Sequence, residues 1–140
     1  MYQVVSFMEY EMTRDVKLKN TKTGTIDTCF DDSELVSCQN FSFMEKNKIY
    51  DCKILLFGDE VKQKTNHGTV CCRILCRDIL VGRCKLIKVL VANDIYYIMQ
   101  NKIKNITDKS SFWFEYTRKD LVQVDDVVHA DFLREWPISL

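Results

Sequence analysis

One proline and four glycines in a chain of 140 residues leave no material for a collagen-like stretch, a disordered tail or a low-complexity linker. A single domain over residues 1–140, ordered throughout, is expected. At this length a chain buries roughly 70% of the surface its unfolded form exposes, enough to fold without disulfide or metal staples. Net charge is also missing. Twenty Lys and Arg balance twenty Asp and Glu, so no whole-molecule field draws the protein onto nucleic acid or an anionic membrane. Long apolar runs are absent too. The most apolar stretch, residues 74–99, is broken by Arg77, Asp78, Arg83, Lys85, Lys88 and Asp94, against the ~18 uninterrupted apolar residues of a membrane span. The first residues carry no basic segment, and Glu9 and Glu11 interrupt their apolar character, unlike an export signal. A soluble cytoplasmic protein without membrane contact is the expectation.

The signatures of common chemistries are missing as well. There is no Gly-x-Ser-x-Gly elbow for a nucleophile, and neither of the glycine-rich phosphate-binding patterns occurs. No cofactor is expected. Histidine is limited to His67 and His129. Cysteine, by contrast, is abundant, but seven is an odd number, and without export free thiols are favoured over a disulfide framework. The cluster Cys71, Cys72 and Cys76 invites a metal reading. Yet nothing between Cys72 and Cys76 turns the chain, and on a strand those two lie about 13 Å apart, too far to share one ion. Buried structural thiols, with no metal, are expected.

What the sequence does contain is alternation, the mark of half-buried strands. Val4, Met8, Tyr10 and Met12 share one parity, with Glu9 and Glu11 on the other. A hairpin is expected around residues 20–24, with Ile26, Thr28 and Phe30 resuming the pattern, and residues 31–36 carry capping residues for a short helical turn. The clearest strand covers residues 48–57, with Tyr50, Cys52, Ile54 and Leu56 on one face. A polar loop over residues 58–68 leads to a strand with Val70, Cys72, Ile74 and Cys76 on one side. Ile87, Val89 and Val91 form another, and residues 94–98 are rich in strand-favouring side chains. Phe112, Phe114 and Tyr116 share a face, which leaves Trp113 on the other. In the tail, Leu121, Val124, Val128 and Phe132 follow helical spacing, but the density of valine favours strand first and helix from about Val127. Six to eight strands with one or two short helices result. The fold expected is mainly β: a small antiparallel barrel resembling the OB-fold, or a strongly bent sheet, with an open α+β sheet as the alternative.

Three functions are compatible with these residues. The leading expectation is a non-enzymatic binding domain that contacts a protein partner through Trp113, His67, Asp125 and Asp126, since an aromatic ringed by charge suits an interface. The second is a single-stranded nucleic-acid binder, because cations and stacking aromatics are what such a surface needs. Arg83, Lys85, Lys88, Trp113 and Arg118 would supply them. The third is a hydrolase or metal-dependent enzyme around His129, which lies four residues after Asp125 and shares a helix face with it if that segment is helical. A solvated surface pair explains the same spacing. The first reading requires no catalytic residue.

Overall fold

The computed structural model describes residues 1–36, 38–65 and 68–133. Its elements are β1 (Tyr2–Glu9), β2 (Arg14–Asn20), β3 (Ile26–Asp31), a one-turn helix α1 (Ser33–Val36), β4 (Ile49–Tyr50), β5 (Cys52–Val61), β6 (Thr69–Val81), β7 (Cys84–Val91), β8 (Asp94–Met99), β9 (Ser111–Val124) and β10 (Val127–Val128). Short 3-10 turns occupy Gln100–Lys102, Ile106–Asp108 and Ala130–Phe132. The chain is mainly β, as its alternation implies, and no helix among the described residues is long and apolar enough to cross a membrane.

Two strands do double duty. β5 and β9 pair along almost their whole length, from Cys52 opposite Val124 to Val61 opposite Trp113. The far half of that ladder is closed into a five-strand barrel by β6, β7 and β8, in the ring order β9-β5-β8-β7-β6, with β6 returning to β9. On the near half, β3 runs parallel to β9 through Phe30 and Asp120, and the β1-β2-β3 meander extends from there. β4, which leads through Asp51 into β5, pairs with β1 at Tyr2 and Gln3. The near strands thus also come round on themselves, in the order β1-β2-β3-β9-β5 with β4 meeting β1. Three hairpin-linked strands whose successor returns beside the first make a Greek key.

The junction of the two halves is marked by an irregularity in the β5/β9 register between Phe57 and Gly58. Gly58 is required there. A Cβ on it would lie 2.0 Å from the Glu115 carbonyl oxygen and 2.8 Å from the Tyr116 Cα, so the two backbones approach more closely than a side chain permits.

One apolar core runs through both halves. Val4, Val16, Leu18, Cys29, Ile54, Leu56 and Leu121 join Cys72, Ile87, Val89, Ile98 and Phe114 in it. A second, smaller core lies on the opposite faces of the same strands, where Leu55, Leu86 and Val122 pack with Val81 and Cys84. Val128 and Phe132 cover it. None of the seven cysteines forms a disulfide; Cys29, Cys52, Cys72 and Cys84 are buried, and Cys71 faces out as its strand position implied, but Cys76 is exposed rather than buried with Cys72, because the β6 register shifts between Ile74 and Cys76. Burial pushes the Cys52 and Cys72 thiols up to about 12.

Three local expectations are corrected. The tail after Val124 is not a helix from Val127. Asp125 adopts a left-handed turn (φ 50°), β10 pairs back onto Val124 and Gln123, and only a 3-10 turn follows. Paired extended backbone suits the β-branched valines better than a helix does. Second, Met8, Tyr10 and Met12 do not share the buried face of Val4. A bulge between Val4 and Ser6 switches the parity, and the three side chains are more than half exposed. Third, β3 buries Asp27, Cys29 and Asp31, while Ile26 and Thr28 face solvent.

Candidate functional site

His129 is 4% exposed. The Asp131 backbone N–H donates to its Nδ1 at 3.1 Å, which leaves the ring proton on Nε2, 2.6 Å from Asp32 Oδ1. Asp32 follows β3, and the His129 backbone N–H donates to Val122 O on β9 at 2.9 Å. The histidine therefore ties the link after β3 to the closing tail. Asp32, His129 and Asp131 form the one group of described residues with metal-ligand chemistry, their donor atoms lying within 4.8 Å of one another. A metal needs a bare nitrogen lone pair, and a general base needs one too. Here one nitrogen accepts a backbone hydrogen bond and the other carries the proton, so the cluster as built is a clamp. Asp125 has no part in it: its carboxylate accepts the Asp51 backbone N–H at 2.9 Å and closes the turn.

The second polar centre is Asp27, 3% exposed on β3. It accepts the Tyr96 hydroxyl at 2.8 Å from β8 and the Lys119 ammonium at 2.5 Å from β9. Lys119 in turn lies over the Tyr96 and Tyr116 rings, at 5.1 and 5.3 Å from their centroids. Burial, reinforced by the Asp27 hydrogen bond, drives the Tyr96 phenol far above its ordinary range. Nearby, Asp94 accepts hydroxyls from Thr23 at 2.6 Å and Thr25 at 2.8 Å, pinning the β2–β3 turn to the start of β8. These contacts lock the two halves of the molecule to each other.

Beside this seam lies an open outer face of β2, β3 and β9. The register opposes Asp15 to Phe30, Lys17 to Thr28 and Lys19 to Ile26, so those six side chains share the outer face of β2 and β3. Across β9 the face continues to Arg118, whose guanidinium is held between two rings, 4.7 Å from the centroids of both Phe30 and Phe57. Asp120 fixes it from the side, accepting Nε at 2.5 Å and Nη2 at 3.0 Å. Burial raises the Asp120 carboxyl above its ordinary value despite that arginine. Phe57 is 45% exposed, and Lys102 lies 5.9 Å from its centroid. An open depression of about 370 Å³ runs from Ile26, Thr28 and Phe30 to Tyr116 and Arg118. Lys17 and Lys19 are exposed and have no ion-pair partner among the described residues.

Of the residues singled out in the sequence for nucleic acid, Arg118 belongs to this face. Arg83 and Lys85 border another depression with Met99 and Ile106, and Lys88 lies opposite Tyr97 in the β7/β8 ladder. Trp113, half-buried, borders a wider hollow of about 620 Å³ whose rim holds Lys62, Lys104 and the paired Lys102–Asp59 and Lys109–Glu60. The partner-binding set is likewise dispersed. Trp113 and the Asp125–Asp126 turn stand at opposite ends of β9, about 40 Å apart along extended strand, and His67 lies outside the described residues. Sequence reasoning missed Phe30, Phe57, Lys17 and Lys19. Their alternation with Val16, Leu18 and Cys29 was the available signal, but only the pairing of β3 with β9 and of β9 with β5 brings them to Arg118.

Comparison with protein-family models, with curated proteins and with solved structures gives no match to this chain.

Proposed function

We propose that this chain is a non-enzymatic binding domain whose outer β2–β3–β9 face takes a single strand of nucleic acid. The observation that carries the reading is the Phe30–Arg118–Phe57 stack on the same face as Lys17 and Lys19, which have no ion-pair partner among the described residues. Every base has a π-face that packs on an exposed ring or guanidinium plane, and lysines about 7 and 13 Å along the strand from Phe30 suit the phosphates of successive nucleotides. The Greek-key order β1-β2-β3, then β4 beside β1, with β9 between β3 and β5, supports the OB-like reading of this half. In barrels of that kind the face of the second and third strands is where oligonucleotides bind. Neutrality of the whole molecule is compatible with this, because three of the acids near this face, Asp27, Asp31 and Asp94, are buried and hydrogen-bonded. Seven free thiols support a reducing, cytoplasmic setting.

The test is fluorescence anisotropy of a labelled oligothymidylate of about 15 nucleotides, which spans the site sizes of such barrels. Affinity is expected to fall steeply with salt. Phe57→Ala should weaken binding about 5- to 150-fold, the worth of one stacked base. Reversing both Lys17 and Lys19 to Glu should weaken it further and flatten the salt slope by about 1.4. Salt-independent binding, or binding indifferent to these substitutions, would remove the reading.

A further inference from the structure

The tip of the β1–β2 hairpin differs in character from the face just described. Met8, Tyr10 and Met12 are 61%, 55% and 56% exposed, and Leu35 on the adjoining α1 is 52% exposed. Single exposed apolar residues are ordinary; several large ones grouped at one protrusion are the kind of patch that marks an interaction site. Between them stand Glu9 and Glu11, and a narrow depression joins this tip to Glu34 of α1. Among the described residues lining the depression the one basic side chain, Arg14, is committed inward: it is 8% exposed, bonds Asp31 at 2.8 Å and the Phe41 carbonyl at 2.6 Å, stacks on Phe7 at 4.5 Å and reaches Glu9 only at 3.8 Å, so Glu11 and Glu34 carry most of the free negative charge. Asp15 holds the Tyr10 hydroxyl at 3.0 Å, which fixes one ring of the patch in place. The flank of β1 is also open. β4 covers Tyr2 and Gln3, and Asn47 and Lys48 bracket Val4, but among the described residues no strand pairs on that side beyond it.

We propose that this tip is a docking site for a basic segment of a protein partner, whose lysines or arginines meet Glu9, Glu11 and Glu34 while its apolar side chains pack among Met8, Tyr10, Met12 and Leu35. Methionine adapts to varied apolar shapes, and tyrosine combines a large ring with a polar end, so the residue types suit an interface. Charge selects the occupant. Phosphates would be repelled by the glutamates. A second copy in a two-fold contact would set the same acids against each other. A basic, partly apolar peptide satisfies both halves of the patch, and it uses a surface distinct from the one proposed for nucleic acid.

The experiment is a titration of isotope-labelled protein, followed by amide chemical shifts, with a peptide of about nine residues alternating lysine and leucine. The same peptide with glutamate for lysine serves as control. Saturable shifts confined to residues 8–14 and 33–36 are expected, with none from the acidic peptide. Glu9→Lys with Glu11→Lys, and separately Met8→Ser with Met12→Ser, should each weaken binding at least tenfold. All four positions are exposed, and because Glu9 pairs with the buried Arg14 at 3.8 Å, Glu11→Lys alone, expected to weaken binding as well, is measured beside the double variant, with far-ultraviolet circular dichroism of each. Shifts elsewhere, equal binding of the acidic peptide, or sensitivity to only one of the two pairs would overturn the proposal. So would self-association of the protein that Met8→Ser with Met12→Ser abolishes, which would assign the tip to a second copy. Binding of oligothymidylate by the Glu9→Lys, Glu11→Lys variant is measured alongside, so that failure of one proposal is told apart from failure of the other.

Discussion

Asp27 shows how one carboxylate can hold two halves of a molecule together. It reaches Tyr96 and Lys119 from a position with almost no contact with water. Asp27→Ala would strand a largely buried ammonium and a phenol, and breaking a buried pair in this way costs about 3–5 kcal/mol. Urea denaturation should show a stability loss of that size, with Asp27→Asn intermediate because it keeps a partner for the Tyr96 hydroxyl. Glu60 makes the opposite kind of contribution, one that depends on pH. Burial pushes its carboxyl up, but the hydrogen bond from Lys109 and the backbone N–H of Lys104 outweigh that and hold it below its ordinary 4.5. A carboxyl lowered in the folded state adds stability that is complete above the unfolded value and is lost as pH falls through the folded one. Glu60→Gln is therefore expected to lose less stability than the parent between about pH 5 and pH 3, as read from denaturation midpoints at each pH.

At the scale of elements the decisive positions are where strands change partner. Gly58 lies in the β5/β9 ladder at the point where the strands pass from one ring to the other, and an added Cβ would strike backbone. Gly58→Ala should cost about 3 kcal/mol or more, since neither strand can move without disturbing a ring. Thermal melting of the variant checks it. Local pattern revealed most of these strands: Cys52, Ile54 and Leu56, or Ile87 and Val89, recur at every second position on one face and are buried as that period implies, while the neighbouring Leu55 and Leu86 fill the smaller core on the other face. It misplaced the faces of β1 and β3 for physical reasons. A bulge inserts one residue and inverts every later side chain, and the buried Asp27 and Asp31 carry the polarity of a solvent face while their partners lie on other elements. Of the face proposed for nucleic acid, the sequence showed Arg118 alone. Its companions come from three strands far apart in sequence, and a stack assembled by pairing leaves no local motif.

Across the whole molecule, β5 and β9 belong to both rings, and a continuous apolar core passes between them. The halves should not unfold independently. Near-ultraviolet circular dichroism and far-ultraviolet circular dichroism are expected to report coincident urea transitions, as a single cooperative unit requires. Two separated transitions would show the rings to be autonomous. The same sharing dictates when folding can begin. β9 starts at Ser111, after all the other long strands, and either ring lacks a wall until it is present. On a ribosome adding about 5–20 residues each second, the nascent chain therefore carries the future core residues Val4, Val16 and Leu18 exposed for several seconds. The protein becomes a barrel nearly all at once, when β9 has been made, and until then those strands depend on whatever shields them.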